Sequence, residues 1–205
     1  SYRMGPSTDS ARGHNMPDQH PLAERGRALE EEYFRKKDRE LIEKIQQAAA
    51  AEQAREALSS TSGLKDPQLL RELGDLGFTP ETVGLLPIVP IIQIAWAEGG
   101  VSPAERDLIV RLARTRGVEE GSPADRQLTE WMTTRPSDAV FASAGRLIRA
   151  MLDAGSAAGG LSADDLVAHC EQIASASGGV FGFGRVSGEE RALLKRIADT
   201  LKARD

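Results

Sequence analysis

The chain has 205 residues, of which 40% are hydrophobic, 4% aromatic and 28% charged, with a formal net charge of −5. This length allows one domain of ordinary size with an appended segment. The acidic balance argues against general binding to a phosphate backbone, so we expect no nucleic-acid partner. The single cysteine excludes an intramolecular disulfide and a multi-thiolate zinc site within one copy.

The apolar runs are too short for a membrane span. No stretch approaches the roughly 18 consecutive apolar residues that a spanning helix requires. The longest candidate, residues 83–97, is interrupted by Pro87, Pro90 and Gln93. Because no charged leader precedes an apolar secretory core either, we expect no membrane span and a location in the reducing cytoplasm.

The N-terminal region divides into a leader and a charged arm. Residues 1–15 are polar, rich in Gly, Ser and Pro, and precede Met16, which predicts a disordered or expression-derived segment. The arm comprises residues 16–60, in which residues 22–58 have the pattern of one long helix. Nine acidic and eight basic side chains lie in its residues 24–56, so this helix is too polar to be part of a core.

A narrow apolar seam runs along the arm. It consists of Leu22, Leu29, Tyr33, Leu41 and Ile45, with Phe34 and Ile42 beside it. One interpretation is a solvated helix that lies along the domain. The other is a coiled segment that binds a protein partner or pairs with itself, for which Tyr33, Phe34 and Leu41 are the candidate binding residues.

Helix-start signals recur through residues 61–205, which we predict to form one helical domain after a connecting segment at 59–65. Most starts carry a hydroxyl or carboxylate N-cap followed by proline, and two have the spacing of a capping box, Ser102 with Glu105 and Ser187 with Glu190. Pro87 is expected to bend or shorten its helix, as is Pro90. The predicted helices lie near residues 67–76, 80–97, 103–116, 123–134, 138–154, 162–177 and 188–203.

One segment occurs twice. Residues 93–113 read QIAWAEGG and then VSPAERDLIVRLA, and residues 172–198 read QIASASGG, six further residues, and then VSGEERALLKRIA. Each copy predicts an apolar helix, a glycine-pair turn and a capped amphipathic helix. We therefore expect an all-α fold, a compact bundle of about seven helices built from two related hairpins and preceded by the long charged helix.

The first copy, AWAEGGVSPAERDLI, resembles the signature of TerB-like domains, the all-helical family of tellurite-resistance protein B. The opening residues 22–45 also look like a lead-in found on some bacterial proteins of this kind. The resemblance implies a helical bundle of two halves, acidic turn residues associated with divalent metal, and stress-response assemblies. Glu98 and Glu105 match the acidic positions; in the second copy Glu190 matches Glu105, whereas Ser177 stands where Glu98 stands.

Two candidate sites follow. Glu98 and Glu105, with turn carbonyls and with Glu190 if the hairpins pack face to face, could supply oxygen ligands to a divalent cation such as Ca²⁺ or Mg²⁺. The structural alternative is that Glu105 only caps a helix and Glu98 is a solvated turn residue. The inserted loop at 180–185 carries Phe181 and Phe183, which would form a partner-binding patch if exposed or fill the core if buried.

The residues favour a binding protein over an enzyme. None of the three histidines lies in a metal or triad spacing, and no Walker motif is present. The first hypothesis is a non-enzymatic TerB-like interaction or scaffold module that engages a protein partner through the arm or the aromatic loop. The alternative is a metal-responsive domain centred on Glu98 and Glu105; a third is a ligand-binding or hydrolytic protein with a pocket between the two halves.

Overall fold

A computed structural model describes residues 20–155, 162–177 and 186–203. Within these ranges every regular element is helical, which confirms the predicted all-α class. No helix of this described part is long and apolar enough to cross a membrane. The elements are α1 (His20–Ser62), α2 (Pro67–Asp75), a 3₁₀ segment (Val83–Ile88), α3 (Val89–Ala95), α4 (Pro103–Thr115), α5 (Pro123–Thr133), α6 (Asp138–Asp153), α7 (Ala163–Ser177) and α8 (Gly188–Lys202).

The chain divides into two units, residues 1–49 and residues 50–205. The described part of the first unit is the helical stretch 20–49 of the arm. The second unit, called the C-terminal unit below, contains the end of α1 and all later elements. Here Leu58, Ser62 and Leu64 are buried, and the Ser59 hydroxyl donates to the carbonyl of Leu64 at 2.6 Å.

Side-chain caps define where the helices begin. Both predicted capping boxes are present: the Ser102 N–H donates to Glu105 Oε2 at 2.7 Å, and the Ser187 N–H donates to Glu190 Oε2 at 2.7 Å. Asp66 caps α2 by accepting the N–H of the second following residue at 2.8 Å. These contacts satisfy backbone donors that have no partner within a helix, so the local sequence alone positions the starts.

The predicted helix at 80–97 is wrong as a single element. Residues 83–88 form a 3₁₀ segment, and α3 begins only at Val89. Pro87 lies inside the 3₁₀ segment and Pro90 in the first turn of α3, where its missing N–H costs no hydrogen bond. No helix begins at residue 80, because Thr82 lies at the N-terminal boundary of the 3₁₀ segment and accepts the N–H of Thr79 at its Oγ1 at 2.9 Å. The prediction that the prolines limit this helix is confirmed.

The core centres on α3. All of its residues except Gln93 are buried, as the nearly uniform apolar sequence predicts. Helix α3 packs against α6, α7 and α8, while α7 packs against α4 and α8. The α3/α4 hairpin and the α7/α8 hairpin therefore pack on each other, and α6 lies across α3 and α8. Two copies of one hairpin thus supply the centre of the C-terminal unit.

Candidate functional site

The arm carries an exposed apolar surface. Among the residues that the structure describes, the large hydrophobic side chains that are exposed all lie between positions 22 and 45, and more than half of each is accessible, from 52% to 77%. We call this set the arm surface. It consists of Leu22, Leu29, Tyr33, Phe34, Leu41, Ile42 and Ile45.

The arm surface follows two adjacent rows of the helix. Residues four apart in an α-helix stack in inclined rows, which form the ridges of helix packing. One row of α1 contributes Leu29, Tyr33, Leu41 and Ile45, and the neighbouring row contributes Leu22, Phe34 and Ile42. The predicted seam is therefore a pair of inclined ridges, because its members advance around the helix and do not follow a strict heptad line.

The centre of the arm surface is aromatic and charged. The rings of Tyr33 and Phe34 meet edge to face with centroids 5.9 Å apart. Lys37 Nζ lies 5.7 Å from the centroid of the Tyr33 ring and 3.5 Å from Glu40 Oε2. Tyr33 is 57% exposed and Phe34 61% exposed. The sequence-predicted residues Tyr33, Phe34 and Leu41 therefore belong to one accessible surface.

The three predicted acidic residues occupy different environments. Glu98 is exposed beside Gly99, whose φ of 90° lies in the left-handed region. Glu105 and Glu190 are only 2% and 1% exposed, and each accepts the N–H of its own capping serine. Glu190 Oε1 is buried without a hydrogen-bond partner among the described residues.

The described residues contain no group of three or more His, Cys, Asp or Glu side chains that could hold a metal ion. The capping boxes give Glu105 and Glu190 a structural role, since each satisfies a backbone donor at a positive helix end. The cation site at Glu98, Glu105 and Glu190 stays a prediction. Phe181 and Phe183 lie outside the described residues, so the predicted aromatic patch stays a prediction as well.

Two equivalent grooves flank the centre of the C-terminal unit. A groove of about 240 Å³ between α4 and α7 is lined by Leu108, Arg111, Leu112, Thr115, His169, Gln172 and Ile173. A groove of about 210 Å³ at α3, α6 and α8 is lined by Pro90, Gln93, Phe141, Ala142, Ala144, Gly145, Leu193, Arg196, Ile197 and Thr200. Each combines an arginine, a glutamine and a threonine with apolar side chains.

The repeat relates the two grooves residue by residue. The four residues of α8 that line one groove lie 85 positions after the four residues of α4 that line the other, so that Leu193 corresponds to Leu108. Gln172 lies 79 positions after Gln93. Each groove therefore joins the first helix of one repeat to the second helix of the other. The third hypothesis placed a pocket between the two halves but named no residues for it, although the shared order Leu, Arg, Leu or Ile, Thr in both copies was a visible signal.

Helix α6 distinguishes the two grooves. It lines the α3/α8 groove, and it approaches α8 so closely that a Cβ added at Gly145 would lie 2.6 Å from Thr200 Cγ2. The α4/α7 groove is lined by its own two helices alone. Its His169 is half-buried, with Nδ1 buried and unpartnered among the described residues.

Cys170 is a buried core residue. None of its surface is exposed, and burial raises the pKa of its thiol to about 12. The thiolate is the reactive form of cysteine, so this side chain is unsuited to nucleophilic chemistry near neutral pH. Cys170 therefore acts as a small buried hydrophobic residue of the core.

Comparison of the chain with known protein families, curated proteins and solved structures gives no match.

Proposed function

We propose that this chain is a non-enzymatic, TerB-like interaction module of the stress-associated kind, which engages a protein partner through the arm surface. The observation that carries this proposal is the position of the exposed large hydrophobic side chains, which in the described residues all lie on the arm. Contiguous exposed apolar surface is unfavourable in water and marks sites of association. The C-terminal unit supplies the folded body of the module.

The composition of the arm surface supports binding over simple solvation. A solvated helix needs only polar side chains, whereas this one presents Tyr33 and Phe34 in edge-to-face contact at the centre of its apolar rows. Aromatic side chains are enriched among the residues that dominate binding energy, because they bury a large area with few rotatable bonds. The flanking charges, such as the Glu31 and Arg35 pair at 3.5 Å, keep the helix soluble around that centre.

The TerB-like part of the proposal rests on the repeat. Both hairpins place a capping box after the glycine-pair turn, with Ser102 and Glu105 in one and Ser187 and Glu190 in the other. Both second helices then present the same four side-chain types to a groove. Such duplication supports a module built from two related halves, which is the architecture that the resemblance implies.

Site-specific photo-crosslinking tests the proposed binding surface. A photoreactive phenylalanine analogue replaces Phe34 in the full chain, and the matched control carries it at Thr129, an exposed position of α5. Irradiation in extracts of the source cells is expected to give protein adducts, of whatever identity, from position 34 and not from position 129. No adduct from position 34, or equal adducts from both, contradicts the proposal.

A metal-responsive domain is the second candidate function. Buried polar atoms are usually partnered, so the unpartnered Glu190 Oε1 favours a bound cation or water at this position. Calorimetric titration of Ca²⁺ and Mg²⁺ into the wild type, Glu98→Gln and Glu190→Gln tests it. Saturable heat that either variant abolishes supports a metal site, and the absence of heat together with an unchanged melting temperature rejects it.

A further inference from the structure

The arm surface has an internal symmetry about the midpoint of Tyr33 and Phe34. At about 100° per residue, the side chains of Glu30 and Lys37 project within about 10° of the direction midway between the two rings. They lie at equal distances along the helix on either side of that midpoint, and both are exposed. Opposite charges therefore occupy mirrored positions on the centre line of the surface.

This arrangement is self-complementary for antiparallel pairing. A twofold axis between positions 33 and 34 places each residue of one copy opposite a residue of the second copy. The numbers of the two facing residues always add up to 67. Glu30 then faces Lys37 of the second copy, Tyr33 faces Phe34, and Leu41 faces Gly26, which has no Cβ and whose surroundings are open within 4 Å. The same operation exchanges the two rows and sets Leu22 opposite Ile45, whereas Leu29 and Ile42, which project by about 90° or more from the centre line, fall opposite Asp38 and Arg25.

The charges disfavour a parallel, in-register pair. In a parallel, in-register pair Glu30 would face Glu30 and Lys37 would face Lys37, so like charges would repel at two points of the centre line. Ridges formed by residues four apart also favour helices that cross at an angle, which concentrates the contact near the midpoint. The aromatic rings and the Glu30 and Lys37 side chains lie in that central region.

We propose that the partner of the arm surface is a second copy of this chain, paired antiparallel about a twofold axis between Tyr33 and Phe34. This inference rests on the proposed function, because it names the partner that the arm surface binds. The occupant is chosen by charge complementarity: the surface carries Glu30 and Lys37 at mirrored positions, which a reversed copy brings opposite each other twice about one twofold axis.

Charge reversal in the full chain tests the pairing. Sedimentation equilibrium at low salt is expected to show a reversible dimer for the wild type. Glu30→Lys or Lys37→Glu alone weakens dimerisation by roughly tenfold, since the twofold axis makes each change act on two pairs, and the double variant restores it. Glu32→Lys and Arg39→Glu are matched controls, because they make the same charge changes on roughly the opposite side of the helix.

Cysteine pairing gives an independent measure of orientation. A mixture of Glu30→Cys chains and Lys37→Cys chains is expected to form a disulfide-linked dimer on mild oxidation, whereas each variant alone forms little. Cys170 does not compete because its thiol is buried. Circular dichroism confirms that each variant retains the helix content of the wild type.

The outcomes are decisive. A wild-type chain that stays monomeric up to its solubility limit overturns the inference, and so does a dimer that responds equally to the control reversals. Cysteine dimers formed by each variant alone establish a parallel pair and also overturn it. If the chain is monomeric but the photoreactive group at Phe34 captures a different protein, this inference fails while the proposed function stands. If position 34 gives no adduct at all, the proposed function fails.

Discussion

The close approach of α6 and α8 predicts how the C-terminal unit responds to one added methyl group. In Gly145→Ala the new Cβ would lie 2.6 Å from Thr200 Cγ2 and 3.3 Å from Thr200 Cβ. Thr200 resists rotation, because its hydroxyl donates to the carbonyl of Arg196 at 2.9 Å and its side chain is branched at Cβ. The two helices must separate, or the threonine must leave its rotamer.

Two opposing effects set the size of the change. Replacing a mid-helix glycine by alanine stabilises the helix by about 1 kcal/mol, while forcing a methyl group into a packed contact costs about 1–3 kcal/mol. Gly145→Ala is therefore expected to change the free energy of unfolding by about 0 to −2 kcal/mol in the wild type. In a Thr200→Ser background Cγ2 is absent and only the 3.3 Å contact with Cβ of residue 200 remains, so the same change is expected to stabilise by up to about 1 kcal/mol.

Urea denaturation of the four chains, followed by tryptophan fluorescence, measures this double-mutant cycle. The coupling between the two positions should be about 1–3 kcal/mol. Thr200→Ser alone is a suitable background, because it keeps the hydroxyl that bonds to Arg196. If Gly145→Ala stabilises the wild type as much as it stabilises the serine variant, the close approach of α6 to α8 is refuted.

Three other features of the C-terminal unit each lead to a separate prediction. Trp96→Phe removes the indole N–H that donates to a backbone carbonyl of α5 at 2.8 Å, so urea denaturation should show a loss of about 1–3 kcal/mol. The Gly121 N–H and then Arg114 hold the pKa of Asp125 below its usual value; Asp125→Asn should therefore destabilise the protein at about pH 7, and this difference should shrink as the pH falls below the ordinary carboxyl pKa of 3.8 and disappear once the pH lies below the lowered pKa of the folded state. Cys170 should react with Ellman's reagent only after denaturation, because burial raises its pKa to about 12.

The helix starts of this fold were predictable because their determinants are local. Ser102 and Ser187 satisfy donors within three residues of themselves, so their capping boxes can be identified from the sequence. The structure around Pro87 and Pro90 was harder to predict from the sequence. An apolar run that is buried on all sides has no periodicity to separate a 3₁₀ turn from an α-helix, and only the tertiary environment selected a 3₁₀ segment before α3.

The candidate sites also differ in whether local sequence is enough to predict them. Tyr33, Phe34 and Leu41 could be predicted because neighbours on one helix follow from spacing alone. The α4/α7 groove could not, because its lining depends on which helix of one repeat packs against which helix of the other. Gln172 and Leu112 are far apart in the sequence. They line one groove only because the second helix of the first hairpin packs against the first helix of the second hairpin.

The arm surface and the α4/α7 groove differ in the apolar area that each offers to the proposed partner. An aromatic side chain presents about 200 Å², so the exposed parts of Tyr33 and Phe34, 57% and 61%, each leave roughly 120 Å² for a partner to cover. At about 25 cal/mol per Å² this is worth roughly 3 kcal/mol for each ring. In the groove, Leu108 and Leu112 are already partly buried, and its 240 Å³ is below the roughly 300 Å³ at which ligand pockets usually begin. Association must first offset lost translational and rotational freedom, so of these two surfaces the arm surface, with the larger apolar area, better supports the proposed binding role.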